Sequence, residues 1–158
     1  MSTMHHRNNS MPQSSQKTEI PLYPISTAAG LLGISVHTLR MYERCGLFIP
    51  YRKKSGHRLY SDSDIERLHC MRRSINEEKI SIEGIRRVLS LVPCWAVVRC
   101  PPEDREVCPA YLGHSEPCWS LRSKASFCTD RECRSCEVYR DFGDCKSIKG
   151  TLRKLLSE

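Results

Sequence analysis

Apolar side chains recur at helical spacing in four short segments of the first part of the chain. The first predicted helix starts at Ser26 as its N-cap and ends at Gly33, since a glycine just past a helix supplies a left-handed turn. Ser35 caps the second predicted helix, which runs from Val36 to Arg44 and stops before Gly46. Two short helices joined by a glycine-containing turn predict a helix-turn-helix.

The pattern then changes to that of a hairpin. Residues 50–60 carry Ser-Gly near their centre, with Arg, Leu and Tyr after it, which predicts a β-hairpin, or wing. A third helix opens at Ser61, which has capping-box spacing to Asp64, and a fourth begins at Ser81. The predicted apolar face of the fourth helix consists of Ile82, Ile85, Val88, Leu89 and Val92. The fold class is therefore mainly α, a winged helix-turn-helix of four short helices and a hairpin.

Three further regions flank or follow this unit, which we place at residues 21–92. Residues 1–20 are polar and predict a disordered tail. Residues 93–145 keep no helical or strand period and are rich in Cys, Pro and charge, which predicts a small irregular domain that needs cross-links or metal to become ordered. Residues 146–158 place four aliphatic side chains at helical spacing and predict a short amphipathic helix.

The charge of the chain is concentrated in its first part. The formal net charge is +7, and residues 1–92 carry 14 Lys and Arg against 8 Asp and Glu, whereas the remainder carries 11 against 10. This excess favours a polyanionic partner.

The chain shows no apolar run long enough for a bilayer and no signal-peptide core, so we expect a cytoplasmic protein without a membrane partner. No set of nucleophile, base and oxyanion donors is visible, and we expect no enzymatic activity.

Three stretches carry a family resemblance: residues 25–35 (ISTAAGLLGIS), residues 38–47 (TLRMYERCGL) and residues 57–61 (HRLYS), followed by Asp64. In this order and at these separations they resemble the MerR family of transcription regulators over about residues 22–92. The resemblance implies a winged helix-turn-helix that binds double-stranded DNA, a homodimer, and RNA polymerase as a further partner.

The candidate DNA contacts lie on the second helix and on the wing. The second helix of a helix-turn-helix enters the major groove, where Arg40 could bind guanine or clamp a phosphate. Basic residues on the wing add positive charge beside the duplex. The resemblance implies backbone contacts at Tyr42 and Arg58, although Tyr42 could instead be a core aromatic. The full set of candidates is His37, Thr38, Arg40, Tyr42, Lys53, Lys54, His57, Arg58 and Tyr60.

Where members of this family continue into a long dimer-forming helix, this chain has Pro93 and a cysteine-rich region. We therefore expect the homodimer to assemble through the second half of the chain, including the amphipathic segment 148–156.

The cysteine-rich region contains an internal repeat. One unit opens with Pro93-Cys94-Trp95 and closes with Cys108-x-x-Tyr111, and the other opens with Pro117-Cys118-Trp119 and closes with Cys136-x-x-Tyr139. The units resemble small paired Cys-Trp modules of some bacterial sensory and regulatory proteins.

Cysteine enrichment in a reducing cytosol favours metal binding. Cys133-x-x-Cys136 has chelating spacing, and the candidate ligands are Cys94, Cys100, Cys108, Cys118, Cys128, Cys133 and Cys136. Four thiolates suit either zinc or an iron–sulfur cluster, and the irregular spacings leave both open, together with redox-active thiols or disulfides. His114 is a further possible zinc ligand, and Cys145 lies outside the repeat.

The leading hypothesis is a sequence-specific transcription regulator that senses metal or redox state through its cysteines. The alternative is an adaptor protein that carries zinc or an iron–sulfur cluster and docks a protein partner through the helix-turn-helix.

Overall fold

The computed structural model describes residues 19–113, 115–121 and 127–142, together with positions 153 and 157. Its helices are Ile25–Leu32 (α1), Val36–Arg44 (α2), Asp62–Asn76 (α3), Ile82–Ser90 (α4), Cys94–Val97 (α5), Pro102–Arg105 (α6) and Glu137–Phe142 (α7), and its strands are Tyr23–Pro24 (β1), Tyr51–Arg52 (β2) and Arg58–Tyr60 (β3). The described part of the cysteine-rich region also contains two 3-10 helices, Cys118–Ser120 and Cys133–Ser135. The predicted fold class, a winged helix-turn-helix followed by an irregular region, is confirmed.

Helices α1 and α2 form the helix-turn-helix. Gly33 follows α1 in the left-handed conformation, with φ 61°, as predicted. The Ser35 hydroxyl caps α2 by accepting a hydrogen bond from the Thr38 amide at 3.0 Å. The prediction that Ser26 caps α1 is wrong, because the helix already begins at Ile25 and follows Pro24 without a side-chain cap. The proline ring fixes a φ suited to that helix start.

The wing is part of a three-stranded antiparallel sheet in the order β1-β3-β2. The predicted hairpin is formed by β2 and β3, with Tyr51 opposite Leu59. On its other side β3 pairs with β1, which places Tyr23 opposite Tyr60. The sequence did not predict β1, because a strand of two residues has no period to detect.

Helices α3 and α4 begin as the sequence predicts. Ser61 and Asp64 form the capping box of α3, with Asp64 amide to Ser61 Oγ at 3.2 Å and Ser61 amide to Asp64 Oδ2 at 2.9 Å. Ile85 and Leu89 of α4 are buried, but Val88 is 45% exposed, so its assignment to the buried face is wrong. The 3.6-residue period places Leu89 nearer than Val88 to the direction of Ile85.

One hydrophobic cluster joins the two halves of the chain. It contains Leu39 and Leu68 from the helix-turn-helix half together with Trp119, Tyr139 and Phe142 from the cysteine-rich region. The cysteine-rich region thus buries its large side chains against the first half. No helix in the described part of the chain is long and apolar enough to cross a membrane. The predictions for residues 1–18, His114, Cys145 and most of 146–158 fall outside the described residues.

Candidate functional site

A concave basic surface lies between α2 and the wing. Arg40 of α2 and Lys53, His57 and Arg58 of the hairpin line the same concavity, so the structure brings four of the nine predicted DNA-binding residues together. Lys54 and His37 are also exposed. These side chains give positive charge to the surface beside α2, which is the recognition helix of the helix-turn-helix. A positively charged surface of this kind suits the phosphate backbone of a duplex.

The side chains of Thr38 and Arg58 already make hydrogen bonds to other side chains of the protein. The Thr38 hydroxyl lies 2.9 Å from Ser35 Oγ, at the cap of α2. Arg58 donates from Nε to Glu43 Oε2 at 2.6 Å, and this hydrogen bond raises the pKa of Arg58. Arg52 pairs with the same carboxylate. Glu43 therefore links the recognition helix to the wing through ion pairs. Sequence reasoning missed this role, although a single acidic residue among basic ones is a signal that could have indicated it.

Two predicted DNA contacts lie in the core instead. Tyr60 is completely buried, so the prediction that its side chain contacts DNA is wrong, and burial raises its pKa to about 12. Successive side chains of a strand point to opposite faces, and Tyr60 lies on the face of β3 that is turned to the core, whereas Leu59 before it is only partly buried. Tyr42 keeps 6% of its surface exposed, which limits a contact with DNA to a small part of the side chain.

Six of the seven predicted metal ligands line one cavity of about 300 Å³, namely Cys94, Cys100, Cys108, Cys118, Cys128 and Cys133. Cys136 is not among the lining residues. None of the seven is part of a disulfide. In the part of the chain that the structure describes, no three Cys, His, Asp or Glu side chains are arranged to hold a single metal ion.

Cys94 and Cys118, which open the two repeat units, meet at the cavity. The Cys118 thiol donates a hydrogen bond to the Cys94 sulfur, which lowers the pKa of Cys94 to about 7 and raises the pKa of Cys118. Burial raises the pKa of Cys128 to about 11 and that of Cys100 above its usual value. The pair thus combines one readily formed thiolate with one thiol donor.

The internal repeat is present in the structure as a repeated ring contact. Trp95 meets Tyr111 edge to face at 5.0 Å between centroids, and Trp119 meets Tyr139 in the same way at 5.2 Å, both with an interplanar angle of 89°. The two units differ in what covers them. Tyr111 is 41% exposed, whereas Trp119 and Tyr139 are buried.

The second unit is held against the loop that joins α2 to β2, residues 45–50, which we call the α2–β2 loop. Trp119 donates from Nε1 to the carbonyl oxygen of Gly46 at 2.7 Å. The Ile49 amide donates to the Tyr139 hydroxyl at 2.8 Å. The second unit therefore contacts the connection between recognition helix and wing.

A buried ion pair extends this interface to α3. Arg134 donates to both carboxylate oxygens of Asp64, at 2.9 and 2.6 Å, and to the Ile49 carbonyl at 2.6 Å. Arg67 donates to the Tyr139 carbonyl at 2.8 Å and its guanidinium lies 3.9 Å from the centroid of the Tyr139 ring. Sequence reasoning assigned Asp64 to the helix cap alone and missed Arg134, although that arginine stands between two predicted ligands.

The fold and the basic surface define a winged helix-turn-helix DNA-binding domain. Residues 23–91 match the model of the protein family described as "MerR HTH family regulatory protein". This segment is therefore a helix-turn-helix domain of the MerR family. The match ends two residues before the cysteine-rich region begins. No solved structure matches the chain.

Three relatives each match less than half of the chain. A Streptomyces coelicolor protein that carries the name heat shock protein HspR is 41% identical over 46% of this chain and 48% of its own. A Haemophilus influenzae protein named as a probable heavy metal-dependent transcriptional regulator is 46% identical over 42% of this chain and 52% of its own. The mercuric resistance operon regulatory protein of Bacillus cereus is 34% identical over 44% of this chain and 53% of its own. The chain thus spans about half the length of these relatives.

Proposed function

We propose that this protein is a sequence-specific transcription regulator of double-stranded DNA, and that its cysteine-rich region adjusts the DNA-binding half in response to metal or redox state. Regulators of the MerR family bind DNA, typically as dimers. The basic concavity beside α2 supports the first part of the proposal, because it assembles Arg40 with the charged side chains of the wing.

The observation that carries the second part is the contact between the cysteine-rich region and the α2–β2 loop. Trp119 follows the cavity residue Cys118 directly, and Arg134 follows Cys133. Both residues donate hydrogen bonds to carbonyl oxygens of that loop. A change at the cysteines would therefore reach the segment that sets the position of the wing relative to the recognition helix.

A thiol-rich cavity suits a metal or redox signal, since thiolates are soft metal ligands and can be oxidised. The names of two relatives, one a heavy metal-dependent regulator and one a mercuric resistance regulator, agree with a metal signal. As a regulator, the protein would act on RNA polymerase at the promoters to which it binds.

The test is a titration of the full chain with fluorescent DNA from the region upstream of its own gene and with random DNA of equal length, at physiological salt. Specific regulators prefer their site by a factor on the order of 10³ or more. A ratio near one would refute the regulator and would favour an adaptor that uses the helix-turn-helix surface for a protein.

A further inference from the structure

The first repeat unit leaves exposed the kind of side chains that the second unit buries. Val107 and Leu112 of the first unit are each more than half exposed, and Tyr111 is exposed as well. Trp95, which meets Tyr111 edge to face, is only partly buried. In the second unit the equivalent tryptophan and tyrosine are buried. We call Trp95, Val107, Tyr111 and Leu112 the first-unit patch.

The buried second unit shows what such a pair of rings can bind. The Trp119 indole donates a hydrogen bond to the carbonyl oxygen of Gly46, and the Tyr139 hydroxyl accepts one from the Ile49 amide, at 2.7 and 2.8 Å. Gly46 has a positive φ of 70°, as a tight turn requires. The second unit therefore holds a glycine-containing turn by hydrogen bonds to its backbone.

The same polar groups of the first unit have no such partner. Within the described ranges, neither the Trp95 indole nor the Tyr111 hydroxyl makes a hydrogen bond to the protein. Tryptophan and tyrosine combine a large apolar area with one polar group, and they are enriched at protein interfaces for this reason. The first unit thus has the construction of the second, but no backbone turn of the described chain contacts its two polar groups.

The first unit also carries a turn of the kind that the second unit binds. Residues 109–113 form a turn, and Leu112 and Gly113 at its end are exposed. Gly113 has φ +95°, and nothing lies within 4 Å of its Cβ position, so its backbone can be approached closely. Rings and turn belong to one unit, so two copies related by a two-fold axis can each offer a turn to the rings of the other. A contact of this kind is isologous and self-complementary.

A helical seam is a poor alternative in this part of the protein. After Pro93, the α-helices within the described ranges contain at most six residues, which is less than one heptad. A regulator that reads a two-fold symmetric site nevertheless needs two recognition helices about 34 Å apart. The exposed rings of the first unit are a compact surface that can hold two copies together without a long helix.

We propose that the first-unit patch is the surface through which two copies of the chain associate. The Trp95 and Tyr111 side chains of each copy bind the turn at residues 109–113 of the other, as Trp119 and Tyr139 bind the α2–β2 loop within one copy. Val107 and Leu112 supply apolar area around the rings. The inference rests on the proposed function for the need to read a two-fold site, and on the repeat for the surface itself.

Sedimentation of the full chain over a range of micromolar concentrations tests the surface. Tyr111→Ser and Leu112→Asp should each raise the dissociation constant of the wild-type dimer by about tenfold or more, as expected for anchor residues of an interface. Tyr51→Ser is the matched control, because Tyr51 and Tyr111 are both 41% exposed. Leu31→Asp, at an exposed position of α1, is the control for the second variant. Both controls should keep the wild-type dissociation constant.

Fluorescence gives an independent measurement, because the chain contains two tryptophans. Trp119 is buried within its own copy, so a change in acrylamide quenching with protein concentration reports on Trp95. We expect quenching to fall as the wild type associates and to stay at the monomer level over the same range in Leu112→Asp. Far-ultraviolet circular dichroism shows whether each variant is folded.

Three results would overturn the inference. They are a wild type that stays monomeric, a dimer that withstands both Tyr111→Ser and Leu112→Asp, and a dimer in which Trp95 remains as open to the quencher as in the monomer. Should either variant unfold, the other variant and the quenching of the wild type still decide. A monomer that prefers upstream DNA would refute this inference alone. A dimer that dissociates as expected but binds both DNAs equally would refute the proposed function alone.

Discussion

Asp64 lies where the two halves of the chain meet, and its carboxylate serves both of them. One oxygen accepts from the Ser61 amide in the capping box of α3, and both accept from Arg134 of the second repeat unit. The side chains of Asp64 and Arg134 are 5% and 13% exposed. A charge this deeply buried is stable only while it is paired.

Removing the arginine should therefore destabilise the whole protein. Arg134→Met leaves Asp64 buried without its partner, and we expect the free energy of unfolding to fall by about 3–5 kcal/mol in urea titrations. Arg140→Met, at an exposed position of α7, is the control and should change stability by no more than about 0.5 kcal/mol. Equal effects of the two substitutions would mean that the ion pair does not hold the halves together.

Arg40 and Lys54 should differ in how they affect DNA binding. If Arg40 reads a base, Arg40→Ala weakens binding to the specific site by about 1–3 kcal/mol and binding to random DNA by less. Lys54→Ala should weaken both equally and flatten the dependence of log affinity on log salt by about one unit. Titrations at several salt concentrations measure both effects, and an equal loss on both DNAs for Arg40→Ala would reassign Arg40 to the backbone.

At the scale of elements, the turn after α2 is a point where the cysteine-rich region contacts the segment that follows the recognition helix. Gly46 has φ +70°, and a Cβ built there would clash with Ser120 Oγ. Gly33 has a similar φ of +61°, but nothing lies within 4 Å of its Cβ position. A substitution at Gly33 therefore tests backbone strain alone, whereas a substitution at Gly46 tests backbone strain together with a steric clash.

Substitution of each glycine by alanine, followed by a measurement of stability, distinguishes the two effects. Gly33→Ala should cost about 1–2 kcal/mol of stability, because a left-handed conformation disfavours a Cβ. Gly46→Ala should cost clearly more in the same thermal or urea unfolding experiment, since Ser120 must also move. Equal losses would show that the 3-10 turn at residues 118–120 is not packed on this loop.

The same elements show which features can be predicted from sequence. Ser35, Ser61 and Ser81 sit at real helix starts because capping is a local interaction within three residues. The repeat was predictable because its Cys-Trp and Cys-x-x-Tyr motifs recur. The pairing of Arg134 with Asp64 joins residues 70 positions apart, and no local period encodes such a contact. Tyr60 was assigned to DNA from its place in a motif, whereas packing of the β3 inner face decides its position.

At the scale of the whole molecule, the dimer is the main open prediction. Two recognition helices must lie about 34 Å apart to read a two-fold symmetric site, so we propose a homodimer assembled through the second half of the chain. Sedimentation at micromolar concentration should give twice the mass of the 158-residue chain. Deletion of residues 147–158 tests the contribution of the last segment, and a monomer both alone and on DNA would refute the dimer.

The central claim is that the state of the cysteine cavity changes DNA binding through the α2–β2 loop. The direct measurement is the affinity of the full chain for upstream DNA before and after the cavity is loaded with iron and sulfide, or with zinc, in the wild type and in Trp119→Phe. The account predicts that loading changes the wild-type affinity by about 5- to 150-fold. The change should shrink in Trp119→Phe, which keeps an aromatic ring but loses the hydrogen bond to Gly46. The same affinity in the loaded and unloaded wild type would contradict it.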